Sequence, residues 1–228
     1  MRTVTIIIPV YNEKNTIGIL LTSVFGVALP HWRKQVIVVD DGSTDGSRDI
    51  IQKWSRRCKI IFKKKNEGKG SAVRKGLSFA EGDVILIQDA DLEYSPSEYM
   101  KLLSQFDNKS VSVVYGARFF GTHMSTKFIY AIGNRFITLV TDLLYNSSIS
   151  DSETGYKVFR MEVIQSMKFH SNKFNIDQEI TAKILKRGYR ILEVPITYIG
   201  RNHQEGKKLT WRDGITALIT LIRYRFTD

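Results

Sequence analysis

The chain has 228 residues, long enough to bury a sizeable core, and a composition of 43% hydrophobic and 25% charged residues excludes a mainly disordered chain. Lys and Arg number 34 against 23 Asp and Glu, and the net charge of +11 points to a polyanionic partner: nucleic acid, anionic lipid or a phosphorylated substrate. One cysteine, Cys58, excludes an intrachain disulfide and fits a reducing compartment.

The N-terminal "MRTVTIIIPVYNE" lacks the long apolar core of a secretory signal, and no run approaches the ~18 apolar residues of a membrane span. A cytoplasmic protein is expected, soluble or peripheral at the cytoplasmic face of a membrane. "TVTIIIPVY" is a continuous β-branched run, as in a strand buried on both faces of a parallel sheet. "NEKNTIGILLTSVFG" follows with helical spacing at Ile17, Leu20, Leu21 and Val24. "QVIVVDDGSTDGS" is a second strand running into a turn, where Ser43 or Thr44 is placed to cap the helix "DGSRDIIQKWSRR". "KIIFKKKNEGKG" reads as a third strand with a basic glycine loop, "SAVRKGLSFAEG" as a helix closed by Gly82, and "DVILIQDADLEYSP" as a fourth strand. The alternation predicts right-handed crossovers and an α/β fold with a mainly parallel sheet.

Beyond Pro96, "SEYMKLLSQF" predicts a helix, "VSVVYGARFF" a strand, "KFIYAIGNRFITLVTDLLY" a long apolar-rich helix and "SETGYKVFR" a strand. "IDQEITAKILKRG" predicts a helix, "YRILEVPITYIG" a strand and "TWRDGITALITLIRYRF" a last helix. With no repeats or linkers, residues 1–228 read as one domain.

In doubly wound sheets, ligands sit at the carboxyl ends of the strands. Four successive strands here end in polar clusters: Pro9, Tyr11, Asn12 and Glu13; Asp40, Asp41 and Ser43; Asn66, Gly68, Lys69 and Gly70; Asp89, Asp91 and Glu93. On an extended chain Asp89, Asp91 and Glu93 share a face, and their mutual repulsion calls for a cation. Oxygen ligands suit Mg²⁺ or Mn²⁺, which uses one or two carboxylates plus substrate phosphates, so a nucleoside diphosphate is the natural co-ligand. A calcium loop fails, because Tyr94 and Met100 stand where glycine and glutamate are needed. No P-loop is present, and the four His residues (31, 123, 170, 203) lack metal-ligand spacing.

Taken in order, "IIIPVYNE", "VVDDGSTDGS", "KNEGKGSAVRKG" and "ILIQDADLE" resemble a family 2 glycosyltransferase of GT-A fold, a three-layer α/β sandwich. "YGARF", "SETGYKVF" and "EVPITYIGRNHQEGKKLTWRDG" are similar to the dolichyl- and polyprenyl-phosphate sugar transferases within it. The resemblance implies that Pro9, Tyr11, Glu13 and Asp40 hold the nucleoside, with Asp41 beside them and Lys69, Asp89 and Ala90 at the nucleotide. It implies a metal-diphosphate site of Asp89, Asp91 and Glu93, where many relatives carry Gln at the last position. Arg118 would meet an acceptor phosphate, with Lys127 the nearest candidate for a second basic residue there. Arg201, with Lys207 or Lys208, would close on the diphosphate, and the catalytic set would be Asp91, Arg118 and Arg201.

The implied reaction is transfer of a hexose, with inversion, from a GDP-mannose- or UDP-glucose-type donor to a polyprenyl phosphate. An anionic phosphate acceptor needs no strong general base. A saccharide hydroxyl, the alternative acceptor, would need a carboxylate such as Asp151 or Glu153. A non-catalytic binding module is opposed by the carboxylate set, and a nucleic-acid partner is not expected. In the last segment Thr210 and Asp213 have capping-box spacing, and Trp211, Ile215, Leu218, Ile219, Ile222 and Phe226 recur every three to four residues beside Arg212, Arg223 and Arg225. Residues 208–228 therefore read either as a helix packed on the domain or as an interfacial helix; access to a lipid would come from this end or from a membrane-protein partner.

Overall fold

The computed structural model describes residues 1–118, 123–124, 128–200 and 211–227. In chain order the elements are β1 (Arg2–Val10), α1 (Ile17–Gly26), β2 (Trp32–Asp40), α2 (Ser47–Gln52), β3 (Lys59–Phe62), α3 (Lys69–Leu77) and β4 (Val84–Ile87). There follow α4 (Tyr99–Leu103), flanked by 3-10 turns, β5 (Val113–Ala117), β6 (His123–Met124), α5 (Phe128–Tyr145), β7 (Lys157–Arg160) and α6 (Met161–Gln165). The chain ends with α7 (Ile176–Lys186), β8 (Ile191–Pro195), β9 (Tyr198–Ile199) and α8 (Trp211–Phe226).

Seven strands form one sheet in the order β3-β2-β1-β4-β7-β5-β8, and β6 and β9 form a small parallel pair. All neighbours in the large sheet run parallel except β7, which is antiparallel to both β4 and β5. The mainly parallel α/β sheet implied by the resemblance is what forms.

Strand alternation sorts the core into two layers. Val4, Ile6, Ile8 and Val10 of β1 join Leu20 and Leu21 of α1 and Tyr99 of α4 on one face. Ile7 of β1, with Ile85 and Ile87 of β4, meets Val73 of α3 and Ile176, Ile180 and Ile184 of α7 on the other. Helices α5 and α8 then pack outside α7 through Ile137, Tyr145, Ala182, Ala217, Leu221 and Tyr224. No described helix is long and apolar enough to cross a membrane.

Three local expectations are corrected. Helix α2 is entered through Gly46 at φ 96°, not through a Ser43 or Thr44 cap, and the Ser43 hydroxyl instead accepts the Asn12 N–H at 2.9 Å. Helix α3 starts at Lys69 and is spent by Ser78, so Gly82 does not close it; that glycine lies against β1, its N–H donating to the Thr5 hydroxyl at 2.9 Å. The fourth strand stops at Ile87, two residues before Asp89, and does not run through the carboxylates. Thr210 lies outside the described residues.

Candidate active site

Because β7 is reversed, its amino end reaches the same edge as the carboxyl ends of β1 to β5 and β8. That edge collects the polar clusters after β1, β2, β3 and β4, and adds residues 151–156, Arg118 after β5, and Tyr198 after β8.

At the β1–β2 end, Asp40 closes β2 and is fully buried. Its Oδ2 accepts from the N–H groups of Gly42 and Ser43, both at 3.2 Å, and from Arg48 Nε at 2.7 Å. Its Oδ1 is buried with no hydrogen-bond partner, an acceptor left for an incoming donor. Asp41 is committed elsewhere: it accepts from Lys63 Nζ at 2.5 Å and from the Gly68 N–H at 2.6 Å, tying the loop after β3 to the end of β2. The nearly buried Glu13 accepts from the Thr16 hydroxyl at 2.8 Å, and its N–H donates to Ser47 Oγ at 2.9 Å. Tyr11 is half-buried beside them, Pro9 is buried within β1 opposite Val39, and Ala90 is buried after β4.

The floor of the edge is a buried charge cluster. Lys69, at the start of α3, holds Asp89 Oδ1 at 2.8 Å and Asp177 Oδ2 at 3.0 Å. Lys157 lies 3.7 Å from Asp177 Oδ1 and donates to the carbonyls of Ser152, at 3.2 Å, and Thr154. Glu153 accepts from Gln178 Nε2 at 2.5 Å. Burial would raise the Asp177 carboxyl, but the two lysines override it and hold it below the ordinary carboxylate value. Burial likewise opposes the Lys69 charge, and Asp177 and Asp89 reverse that and raise it. Burial wins at Lys157, which is lowered despite Asp177, and at Glu153, which is raised despite its Gln178 hydrogen bond.

Asp89, Asp91 and Glu93, the residues expected at a metal-diphosphate site, turn to different partners in the ligand-free structure. Among the described residues no three His, Cys, Asp or Glu side chains are placed to hold a metal. The physical reason is local: β4 ends at Ile87 and Leu92 turns through φ 65°, so the period-two alternation never reaches the carboxylates. Asp89 turns to Lys69, and Glu93 accepts from the Tyr198 hydroxyl at 2.9 Å. Asp91 and Glu93 stay adjacent, the Glu93 N–H donating to Asp91 Oδ1 at 3.2 Å. Two neighbouring carboxylates fit a hard divalent cation whose other ligands are phosphate oxygens and water.

A second ion pair lies across Tyr198. Arg118 grips Asp151 with Nε and Nη2, each at 2.7 Å, and the Asp151 carboxylate is fully buried. The Arg118 guanidinium stands 5.1 Å from the centre of the Tyr198 ring. Burial would raise Asp151, and Arg118 overrides it, holding the carboxyl below its ordinary value. Gly155 is wedged between Asp89 and Tyr94, since a Cβ there would lie 2.5 Å from Asp89 Oδ2 and 2.7 Å from the Tyr94 ring. Its N–H donates to the Tyr94 hydroxyl at 2.7 Å.

The structure therefore brings together Glu13, Asp40, Lys69, Asp89, Asp91, Glu93 and Arg118 at one edge. Lys127, Arg201, Lys207 and Lys208 lie outside the described residues. Sequence reasoning missed Lys157, Asp177 and Gln178: an acid in the first turn of a helix reads as ordinary dipole compensation, and nothing in the spacing marks the other two.

The sequence model of glycosyl transferase family 2 matches residues 5–167. The chain is 30% identical over 217 residues to the dolichol-phosphate mannosyltransferase of Pyrococcus furiosus, covering 90% of this chain and 58% of that one. It is 27% identical over 228 residues to the glycosyltransferase AglJ of Haloferax volcanii, covering 99% of this chain and 73% of that one. Among solved structures, the glucosyl-3-phosphoglycerate synthase of Mycobacterium tuberculosis, in complex with Mn²⁺, UDP and phosphoglyceric acid, superposes with a TM-score of 0.77 at 16% identity, over 100% of this chain and 80% of that one; this likeness is one of fold. With most of its length matched by the family and the polar clusters gathered at one sheet edge, the chain belongs to the family 2 glycosyltransferases.

Proposed function

We propose that this glycosyltransferase moves a hexose, with inversion, from a nucleoside-diphosphate sugar of the GDP-mannose or UDP-glucose type to a polyprenyl or dolichyl phosphate. The observation that carries the acceptor half is the Arg118–Asp151 pair. Asp151 has both oxygens taken by a guanidinium and a lowered pKa, which makes it a poor base. An acceptor phosphate is already anionic and needs none. The pair is neutral as a unit, so Arg118 acts by aimed N–H groups more than by net charge, and Lys127 supplies the added positive charge. The Pyrococcus relative's name supports this reading.

For the donor, Tyr11, Glu13 and Asp40 bind the nucleoside, and Pro9, Asp41 and Ala90 shape that end of the site. Lys69 keeps Asp89 in place beside the nucleotide. Departure of the nucleoside diphosphate needs its developing charge neutralised. Asp91 and Glu93 would hold the Mg²⁺ or Mn²⁺ that supplies this neutralisation when bound; the Mn²⁺ and UDP of the mycobacterial structure support that choice. Arg201, with Lys207 or Lys208, adds the remaining positive charge.

The test is a donor panel with Mn²⁺ and a short-chain polyprenyl phosphate, reading lipid-linked product by mass. Transfer to the lipid phosphate, lost in EDTA and in Asp91→Asn with the fold intact, is expected. A protein that glycosylates only free saccharides sinks the acceptor reading. One observation favours that second reading: the Glu153 carboxyl is raised, as suits a general base for a saccharide hydroxyl. Glu153→Gln separates them, abolishing transfer to a hydroxyl and sparing transfer to a phosphate.

A further inference from the structure

Eight of the 13 large apolar side chains that stand exposed among the described residues lie on two neighbouring helices. On α5 they are Ile132, Phe136, Leu139 and Leu143; on α8 they are Ile215, Ile219, Ile222 and Phe226. The spacing is the same in both, and at 3.6 residues per turn each set falls within about 60° of arc. Each stripe faces away from its own packed side. Ile137, Thr141 and Tyr145 of α5 and Ala217, Leu221 and Tyr224 of α8 are buried. The helices are joined across the seam, the Tyr145 hydroxyl donating to the Leu221 carbonyl at 2.7 Å. The stripe residues are 48% to 78% exposed, far more than a monomer in water ordinarily leaves in one patch.

The charges beside the stripes choose the occupant. The exposed charged residues described on these helices are all arginines, Arg135 on α5 and Arg212, Arg223 and Arg225 on α8, while the two carboxylates, Asp142 of α5 and Asp213 of α8, are half-buried. On the α8 wheel Arg212 and Arg223 flank the stripe on one side and Arg225 on the other. An apolar strip edged by arginines is complementary to an acyl-chain boundary edged by anionic headgroups, with the guanidinium stems lying along it. A second protein copy offers no reason for the one-sided charge.

We propose that α5 and α8 together form one face that seats the protein flat on an anionic phospholipid bilayer. Sequence periodicity pointed to α8 alone; the packing adds α5. The inference deepens the lipid-phosphate reading and rests on it for its purpose, because an acceptor carried by a membrane lipid lies in such a surface. Helix α5 opens ten residues after Arg118, and α8 opens three residues after Lys208 in the sequence. Both helices therefore follow, in the sequence, residues that the lipid-phosphate reading assigns to the acceptor or the diphosphate.

The experiment floats the full chain with vesicles of phosphatidylcholine alone and of phosphatidylcholine with phosphatidylglycerol, with no donor or acceptor present. Binding to the anionic vesicles is expected, weaker by about tenfold or more on the neutral ones. Phe136→Ser/Leu139→Ser and Ile219→Ser/Ile222→Ser should each lower partitioning by about tenfold or more, since each removes two exposed apolar anchors. Their unfolding midpoints should stay unchanged. Full binding by the α5 variant would overturn the two-helix face. Failure to bind anionic vesicles, or a dimer that these variants dissociate, would overturn the bilayer as occupant. Transfer to a short-chain polyprenyl phosphate free in solution, read beside this, tests the acceptor reading separately. Transfer without vesicle binding rejects only the face, and vesicle binding without any lipid-phosphate transfer rejects only the acceptor.

Discussion

Arg118→Ala tests two things at once, and stability separates them. The wild-type carboxylate of Asp151 has no exposure, and Arg118 supplies both of its strong side-chain contacts. Removing one partner of such a pair leaves an uncompensated buried charge, worth about 3–5 kcal/mol. For a chain of this size each kcal/mol moves the melting point by about 2–4 °C, so a fall of about 6–20 °C is expected. Asp151→Ala in the same background removes the stranded charge. The double variant should recover much of the loss, with a coupling energy of about 2 kcal/mol or more in a urea-unfolding cycle. The pH dependence carries the same signature. The folded-state pKa of Asp151 is depressed, so its contribution is present above the unfolded carboxylate value and is lost as pH falls through the folded value. In Arg118→Ala that carboxyl is raised instead, so the gap to wild type should narrow on acidification. Transfer to a lipid phosphate should not return in the double variant, because the guanidinium itself is missing, while slow hydrolysis of the donor persists. Additive stabilities, with coupling under about 0.5 kcal/mol, would refute the buried-pair reasoning. Recovery of transfer along with stability would make Arg118 a scaffold residue only.

Two further substitutions probe the floor of the site. Lys69→Met removes the cation between Asp89 and Asp177, whose Oδ1 already has no hydrogen-bond partner. A loss of about 3 kcal/mol near pH 7.5 is expected, smaller at pH 5, because the stranded carboxylates then protonate; urea unfolding at the two pH values reads it. Gly155→Ala would push a methyl group into Asp89 and Tyr94, costing about 1–3 kcal/mol and raising KM for the donor more than it lowers kcat. An unchanged KM there would detach Asp89 from donor binding.

Much of the fold was legible because the buried strands announce themselves. "TVTIIIPVY" and "QVIVVD" are β-branched runs that only a two-sided core absorbs, and both became central parallel strands. The reversal of β7 was not legible. Four residues, Lys157–Arg160, carry no mark of direction; pairing with β4 and β5, far away in sequence, sets it. The candidate site was legible in membership and illegible in shape. The run "DADLE" announces carboxylates, yet the turn at Leu92, φ 65°, and the pairing of Asp89 with Lys69 set an arrangement that strand alternation does not foretell. Lys157 and Asp177 are separated from Asp89 by some 70 to 90 residues, so only the folded sheet edge reveals that they share a cluster. The apolar character of α5 was plain, but which of its faces meets α8 depends on packing no local pattern encodes.

The charge balance of the edge also says where donor affinity must come from. Lys69 is matched by Asp89 and Asp177, burial lowers Lys157 and raises Glu153 and so disfavours the charge of both, and Arg118 is matched by Asp151. The floor is thus close to neutral before any substrate arrives, and an anionic diphosphate gains little from it by net charge. What these pairs supply is fixed position: a lysine held by two carboxylates cannot drift, and neither can the aspartates it holds. Net attraction falls to the excess of +11 carried elsewhere, with Arg201, Lys207 and Lys208 the cations assigned to that task. Neutralising those three should raise the donor KM and flatten its dependence on salt, because a charge not matched by a fixed partner is the kind that mobile ions screen in attracting a diphosphate. Lys69→Met should leave that salt dependence as it is. A donor KM whose salt slope vanishes in Lys69→Met and survives loss of Arg201, Lys207 and Lys208 would reverse the division between positioning charges and attracting ones.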